Sequence, residues 1–365
     1  MAGGVLGEMK NTTVTVLIDT FNYGHFIEEA IESVLSQDFP MEQVEILVVD
    51  DGSTDDTAER MKKYVSRIRY LRKPNGGQAS AFNFGLARSH GEIVTLLDAD
   101  DRWMPDKLLC VVREFQKNQE VGLVYHRLRE YDMQTGESRD APFEAISGFV
   151  PANLKHVLLF EGFTTSSLAF RRSAIEPLLP IPEGLKIQAD AYLGNLAIFV
   201  TPVAAIERPL AVYRIHGGNL YYHSESVEKS ERLLRRIETR RVLVDGMTTW
   251  FRLHGYNTRR PEVRSVLLRW IILSERDEYR LSPPGRIRFF RHLMRSYGYN
   301  GALMNWRIRT VNYFNAIGAL IIGYKHFPAL EKNRQRVTRF LRGRERVSVK
   351  IAPNSRPADD EGKKT

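Results

Sequence analysis

Over the first 115 residues, apolar and polar positions fall into alternating blocks, each with the length and period of one secondary-structure element. Val14-Thr-Val-Leu-Ile18 is a short apolar run, after which Ile27, Ala30, Ile31, Val34 and Leu35 recur at helical spacing, so a strand, a loop and a helix are predicted. The cycle repeats. Val44-Glu-Ile-Leu-Val-Val49 reads as a buried strand, and Ser53 with Asp56 three residues on resembles a helix start with an acidic first turn. Ile68-Arg-Tyr-Leu71 is a third strand. The Pro-Asn-Gly-Gly break at 74–77 leads into a helix carrying Ala79, Phe82 and Leu86, with Gly91 expected as its C-terminal cap. Glu92 to Leu97 is a fourth strand, and Pro105 suits the first position of a helix through Leu108, Leu109, Val112 and Phe115. Strands alternating with helices predict an α/β fold, a doubly wound sheet flanked by helices, whose ligands bind beyond the carboxyl ends of its strands.

Beyond residue 223 the pattern turns charged and helical. Leu233, Leu234, Ile237, Arg241 and Val244 mark one broad helix face, and 263–273 and 287–294 are further helical stretches, so a mainly α-helical C-terminal appendage is expected. The expected domains are a tail over 1–11, the sheet domain over 12–223, a helical region over 224–348 and a disordered tail over 349–365, which has little to bury. The 365 residues carry 53 Lys and Arg against 44 Asp and Glu, and eight of the basic residues lie in 331–350 against Glu331 and Glu345. A solvated helix face is the ordinary reading of such a run. No nucleic-acid-binding motif accompanies it, so nucleic acid is not expected as a partner. The apolar, aromatic pattern from Val311 to Phe327 is too short to span a bilayer and leaves two readings: packing on the protein's own core or in a homo-oligomer, or an anionic membrane surface. Cys110 is the single cysteine, which excludes an intramolecular disulfide and suits a reducing compartment. With no spanning run and no leader pattern in residues 1–10, a cytoplasmic protein is expected, free or peripheral at the inner face of the membrane.

Acidic clusters follow three of the strands: Asp19-Thr20, Asp50-Asp-Gly-Ser53 and Asp98-Ala-Asp-Asp101. Any one alone is more often a helix cap or a turn. Three at the same sheet edge point instead to a ligand. Asp98-x-Asp100 offers hard oxygen donors suited to Mg²⁺ or Mn²⁺ bridging a diphosphate, which a carboxylate-rich pocket cannot hold without a cation. Dinucleotide-binding and P-loop chemistry are excluded, since neither G-x-G-x-x-G after the first strand nor G-x-x-x-x-G-K-[ST] occurs.

Thr15-Val-Leu-Ile-Asp-Thr-Phe-Asn22, Ala30-Ile-Glu-Ser-Val-Leu-Ser-Gln-Asp38, Val48-Val-Asp-Asp-Gly-Ser-Thr-Asp55, Asn75-Gly-Gly-Gln78 and Leu97-Asp-Ala-Asp-Asp-Arg-Trp-Met-Pro-Asp-Lys-Leu108 follow one another in an order and spacing that resembles a family 2 glycosyltransferase of the GT-A fold. Thr164-Thr-Ser-Ser-Leu-Ala-Phe-Arg-Arg172, Asp190-Ala-Tyr-Leu193 and Tyr213-Arg-Ile-His-Gly-Gly-Asn219 continue the resemblance more weakly, to about residue 220. The resemblance implies that Asp51 holds the nucleotide base, that Asp19, Thr20 and Phe21 line the base pocket, and that Gln78 and Asp98 belong to the donor site. It further implies that Asp100 binds the metal and that His216 completes the metal site. Asp19 stands where family members often have Pro or Thr, so the base is left open, a UDP-sugar being favoured.

Inversion at a sugar carbon needs a base facing the acceptor, and Asp190 in Gln188-Ala-Asp190 is the candidate; its alternative role is the N-cap of a helix beginning at Ala191. Held ionised by the helix dipole, it would be a ready but weak base. Processive members carry Q-x-x-R-W and membrane helices, whereas here Val266 holds the glutamine position before Arg269-Trp270, which favours transfer of a single sugar. Trp103, Tyr221 and Tyr222 could stack on sugars or belong to core and rim. The expected function is metal-dependent, inverting transfer from a nucleotide sugar to the hydroxyl of a sugar, lipid-linked or small-molecule acceptor, in glycan or glycoconjugate synthesis. Its rivals are a nucleotidyltransferase and a catalytically silent nucleotide-binding scaffold.

Overall fold

The structure is a computed structural model that describes residues 13–160, 164–219, 230–301, 306–329, 331–332 and 334–335. The tails expected over 1–11 and 349–365, Tyr221, Tyr222 and most of the basic run after residue 335 lie outside these residues. Two compact units are present, Met1–Leu281 and Ser282–Thr365.

The first unit begins with β1 (Val14–Thr20), α1 (Gly24–Leu35), β2 (Val44–Asp50), α2 (Thr57–Met61), β3 (Arg69–Arg72), α3 (Gln78–Leu86), β4 (Ile93–Asp98), β5 (Arg102–Trp103) and α4 (Lys107–Lys117). It continues through β6 (Leu123–Asp132), β7 (Ser138–Asp140), α5 (Leu154–Leu159), β8 (Leu168–Arg171), α6 (Arg172–Ile175), α7 (Ala189–Val200), β9 (Val203–Ile215), α8 (Ser230–Leu253) and α9 (Pro261–Leu281). The second holds α10 (Arg286–Gly301) and α11 (Trp306–Ile322). The strands form one mixed sheet in the order β3-β2-β1-β4-β8-β6-β9-β5, with β7 added to β6. β3, β2, β1 and β4 run parallel, and β8 pairs antiparallel with both β4 and β6.

Register decides where the acidic clusters go. Asp19 of β1 lies opposite Asp98 of β4, and Thr20 opposite Asp50 of β2, so the strands end in step and present their last residues along one edge. Strand alternation divides the core. Val16, Ile18, Ile46 and Val48 pack with Ile27, Ile31 and Val34 of α1 and Val112 and Phe115 of α4. Leu17, Leu47, Val49 and Leu96 belong to the same core cluster as Phe82 of α3, Leu196 of α7 and Met247, Trp250, Phe251, Val266 and Trp270 of α8 and α9. These two C-terminal helices are thus part of the sheet unit, which runs past residue 223 to Leu281.

Local chemistry departs from the sequence pattern at three places. α3 ends at Leu86, so Gly91 caps nothing; it sits against β1, where a Cβ would strike the Thr15 backbone. α4 starts at Lys107, two residues after Pro105, whose carbonyl accepts from the Asp38 N–H at 2.8 Å. On α8 the buried ridge is Leu233, Ile237, Arg240, Leu243 and Met247, while Leu234 is 57% exposed. Arg240, only 1% exposed, is tolerated there because Asp277 of α9 accepts from it at 2.5 Å and from Arg236 at 2.7 Å. No described helix is long and apolar enough to cross a membrane.

The buried ion cluster between α8 and α9 gives a stability test. Asp277→Ala leaves the Arg240 guanidinium uncompensated and is expected to cost about 3–5 kcal/mol in urea unfolding. Pairing it with Arg240→Met should recover most of that loss. A double variant no more stable than Asp277→Ala would show that Arg240 is not the group whose loss of a partner carries the cost.

Candidate active site

Asp19, Thr20 and Phe21 leave β1 at the sheet edge. Thr20 is buried and its carbonyl accepts from the Asp51 N–H at 2.9 Å, whereas Phe21 is 44% exposed at the rim. Asp19 Oδ1 and Thr20 Oγ1 are buried side-chain atoms without a hydrogen-bond partner, an arrangement that fits a polar ligand arriving at this floor. Beside them, Asp51 is spent on its own loop: Oδ1 accepts from Lys73 Nζ at 2.7 Å and Gly76 N at 2.9 Å, and Oδ2 from Gly77 N at 2.6 Å. It shapes the 73–77 loop, and a bound base would have to share or displace these donors. Gly77 has φ +86°, and a Cβ there would meet Lys186, so this loop approaches the residues before α7 more closely than any side chain allows.

Asp98, Asp100 and Asp101 lie close enough for carboxylate oxygens within 4.8 Å of one another to share a cation. Their roles differ. Asp101 is fully buried and structural, accepting from Ser166 Oγ at 2.5 Å and from Arg214 N at 3.1 Å. Asp100 Oδ2 is 3.1 Å from His216 Nε2 and 3.4 Å from Asn219 Nδ2, so the structure does bring the late histidine to the acidic cluster. His216 Nδ1 accepts from the Gly218 N–H at 3.1 Å, which assigns the ring proton to Nε2, the nitrogen facing Asp100. For Nε2 to ligate a cation, that proton must move to Nδ1 and the Gly218 contact must open.

Like charges crowd this edge. Burial, with the charge of Asp100, pushes the Asp19 carboxyl up to about 7, against a hydrogen bond with Asp98 that pulls it down. Burial, then Asp19, Asp100 and Asp101, hold Asp98 well above the usual carboxylate range. Asp19 and Asp98, paired in register, therefore resist carrying two negative charges together, and the pair keeps a proton to higher pH than separate carboxyls would.

Asp190 is reached from Asp98 through two side chains. Gln78 Nε2 donates to Asp98 Oδ1 and to Thr165 Oγ1, both at 3.2 Å, and Asp190 Oδ2 accepts from Thr165 N at 3.0 Å. Gln78 Oε1 accepts from Ala189 N at 3.0 Å, tying α3 to the start of α7. The N-cap of α7 is Gln188, in a left-handed conformation, so Asp190 lies in the first turn instead of at the cap; its Oδ1 accepts from the adjacent Ala191 N–H at 2.7 Å. Burial pushes its carboxyl up to about 6 against these hydrogen bonds, making it more basic than the helix dipole alone implies.

Several supporting groups were not apparent as site residues in the sequence. Lys107, fully buried over the Trp103 ring and pushed well below the ordinary lysine range by burial, donates to the Ser166 carbonyl at 2.7 Å. Trp103 is thereby core, not a sugar platform. Arg269 donates to the carbonyls of Phe160 at 2.6 Å and Val157 at 2.8 Å, closing the C-terminal end of α5. The signal available was the motif continuation itself, Thr164-Thr-Ser-Ser and Arg214-Ile-His-Gly-Gly-Asn219.

The family model described as glycosyl transferase family 2 matches residues 15–179. An uncharacterized glycosyltransferase of Nostoc sp. (strain PCC 7120) is 33% identical over 229 residues, 60% of this chain and 69% of that protein. The chain belongs to the family 2 glycosyltransferases. The putative glycosyltransferase EpsH of Bacillus subtilis is 29% identical over 57% of this chain and 62% of its own length. Among solved structures, S. aureus TarS residues 1–349 in complex with UDP matches with a TM-score of 0.58, covering 86% of this chain and 92% of that one at 16% identity, a likeness of the GT-A fold.

The shifted carboxyls give a stability prediction with a definite sign. Asp19 titrates at about 7 in the folded chain and near 4 when unfolded, so its contribution to stability is complete below about pH 4 and is lost as pH rises through 7. Asp19→Asn should therefore raise the melting midpoint in EDTA at pH 8 by several degrees and change it little at pH 4. A lower midpoint at pH 8 would contradict the crowding.

Proposed function

We propose that this glycosyltransferase moves one sugar from a nucleotide sugar, with UDP-sugars favoured, to an acceptor hydroxyl with inversion at the anomeric carbon. The observation that carries the proposal is the linked chain Asp98–Gln78–Thr165–Asp190, which places a near-neutral carboxyl beside the acidic edge. The fold match supports the donor class, since two of the TarS structures that match this chain are complexes, one with UDP and one with UDP-GlcNAc.

In this reading Asp100 and Asp98 would hold Mn²⁺ or Mg²⁺, with His216, beside Asp100, as a further ligand. The donor set fits a hard cation, because three carboxylates converge where Asp98 and Asp101 are both held up by burial and mutual repulsion. Such an ion screens the diphosphate of the donor and the charge that develops on it. Asp19, Thr20 and Phe21 receive the nucleoside, Asp51 orders the loop beside it, and Gln78 orients Asp98. Asp190 takes the acceptor proton; Thr165 aims its Oδ2 by donating from both N–H and hydroxyl. Cys110 being the single cysteine suits a cytoplasmic location.

The reading is tested by the product and by pH. Incubation with nucleotide sugars and Mn²⁺ should yield a product of inverted anomeric configuration, read by NMR; a retained configuration would exclude a single displacement. The acid limb of kcat/KM should lie near pH 6, with turnover rising as Asp190 ionises. Asp190→Asn should lower transfer about 10²–10⁴-fold while leaving donor affinity nearly unchanged. Asp100→Asn should abolish the Mn²⁺-dependent part of donor binding in calorimetry, and unchanged Mn²⁺ dependence would remove Asp100 from the metal site.

A further inference from the structure

The two units differ sharply in charge. Residues 282–365 hold 18 Lys and Arg against five Asp and Glu, a net charge of +13, whereas residues 1–281 hold 35 against 39, a net charge of −4. The first 49 residues of the basic unit, 282–330, contain seven Lys and Arg and no acidic residue.

The same unit carries an apolar stripe. α11 turns Asn312, Asn315, Ala316 and Ala319 inward, Asn315 Nδ2 donating to Tyr297 of α10 at 2.7 Å. Its outward face shows Tyr313, Phe314, Ile317 and Ile321, at 43, 69, 48 and 66% exposure. Their spacing puts them on successive turns of one helix face. On α10, Ile287 is 64% exposed between the exposed Arg286 and Arg288, with Arg291 and Arg295 exposed one and two turns on. Large apolar side chains left in water along a helix face mark a surface that another phase or molecule covers.

We propose that α10 and α11 form a docking surface for an anionic lipid bilayer. Phe314, Ile317 and Ile321 enter the headgroup boundary while the exposed arginines of α10 meet lipid phosphates. Charge selects this occupant. A second copy of the chain would set +13 against +13, and a nucleic acid would reward the arginines but not the aliphatic stripe. An anionic bilayer rewards both. The proposal does not depend on the donor chemistry, because the residues involved lie in the other unit.

The test is co-sedimentation of the full-length protein with phosphatidylcholine vesicles, with or without phosphatidylglycerol, at low and high salt. Binding is expected on the anionic vesicles at low salt, weakened by salt and nearly absent on neutral ones. The double substitution Phe314→Ser and Ile321→Ser should lower partitioning by about tenfold or more, with an unchanged melting curve as control. Charge neutralisation by Arg288→Gln with Arg291→Gln should weaken binding to anionic vesicles alone. Protein left in the supernatant with anionic vesicles at low salt overturns the proposal. So does vesicle binding unaffected by the apolar double variant, duplex DNA binding of equal strength, or a stable dimer in light scattering that the apolar variant dissociates.

Discussion

Carboxyl groups repel one another, and a parallel sheet whose strands end in step has no means of separating the residues at its edge. Asp19 and Asp98 are neighbours because β1 and β4 are in register, while Asp100 and Asp101 follow within one turn of chain. Hydrogen bonds from Ser166 and Arg214 relieve Asp101 only in part, since burial and the charge of Asp100 still hold it well above the usual carboxylate range, whereas Asp19 keeps a buried oxygen without a partner. The surrounding structure concentrates negative charge here and leaves it short of cations, a condition that a divalent ion and a polar ligand relieve together.

The opposite wall is built to hold that arrangement still. The 164–167 segment reaches Asp98 through Ser166 Oγ, Asp101 through the same hydroxyl, and Asp190 through Thr165, while Lys107 grips its Ser166 carbonyl from beneath. Arg269 of α9 fixes the end of the preceding helix, α5. A helix packed in the core beneath the sheet therefore holds the end of α5 through its backbone carbonyls. This is why the sheet unit includes α8 and α9, and why the Arg269-Trp270 pair is structural: Arg269 holds backbone carbonyls and Trp270 is core.

The parallel strands and their acidic ends were legible in the sequence because both depend on short-range patterns: apolar runs of strand length, and aspartates directly after them. Asp98, Asp100 and His216 could be named from motifs; the structure gathers Asp98 with Asp100, and sets His216 3.1 Å from Asp100. What short-range patterns do not carry is environment. Asp190 read as a candidate base held ionised by the helix dipole, with a helix cap as its alternative, but burial reverses the direction of its shift. Asp51 read as a group open to a base, yet three donors from 22 to 26 residues away already occupy it. The extent of the sheet unit was hidden for a related reason. Arg240 looks like solvent-facing charge on α8 until Asp277, 37 residues on, is placed against it.

With the Asp19 carboxyl pushed up to about 7, cation binding near that pH is expected to displace a proton, which calorimetry reads directly. Mn²⁺ titrated into the protein at pH 6.5, in two buffers of different ionisation enthalpy, should show an enthalpy difference equal to release of about one proton per ion. Asp19→Asn should lose that release while still binding the ion. Equal enthalpies in the two buffers for the unaltered protein would mean that Asp19 and Asp98 are already ionised, contradicting the crowding on which the description of the site rests.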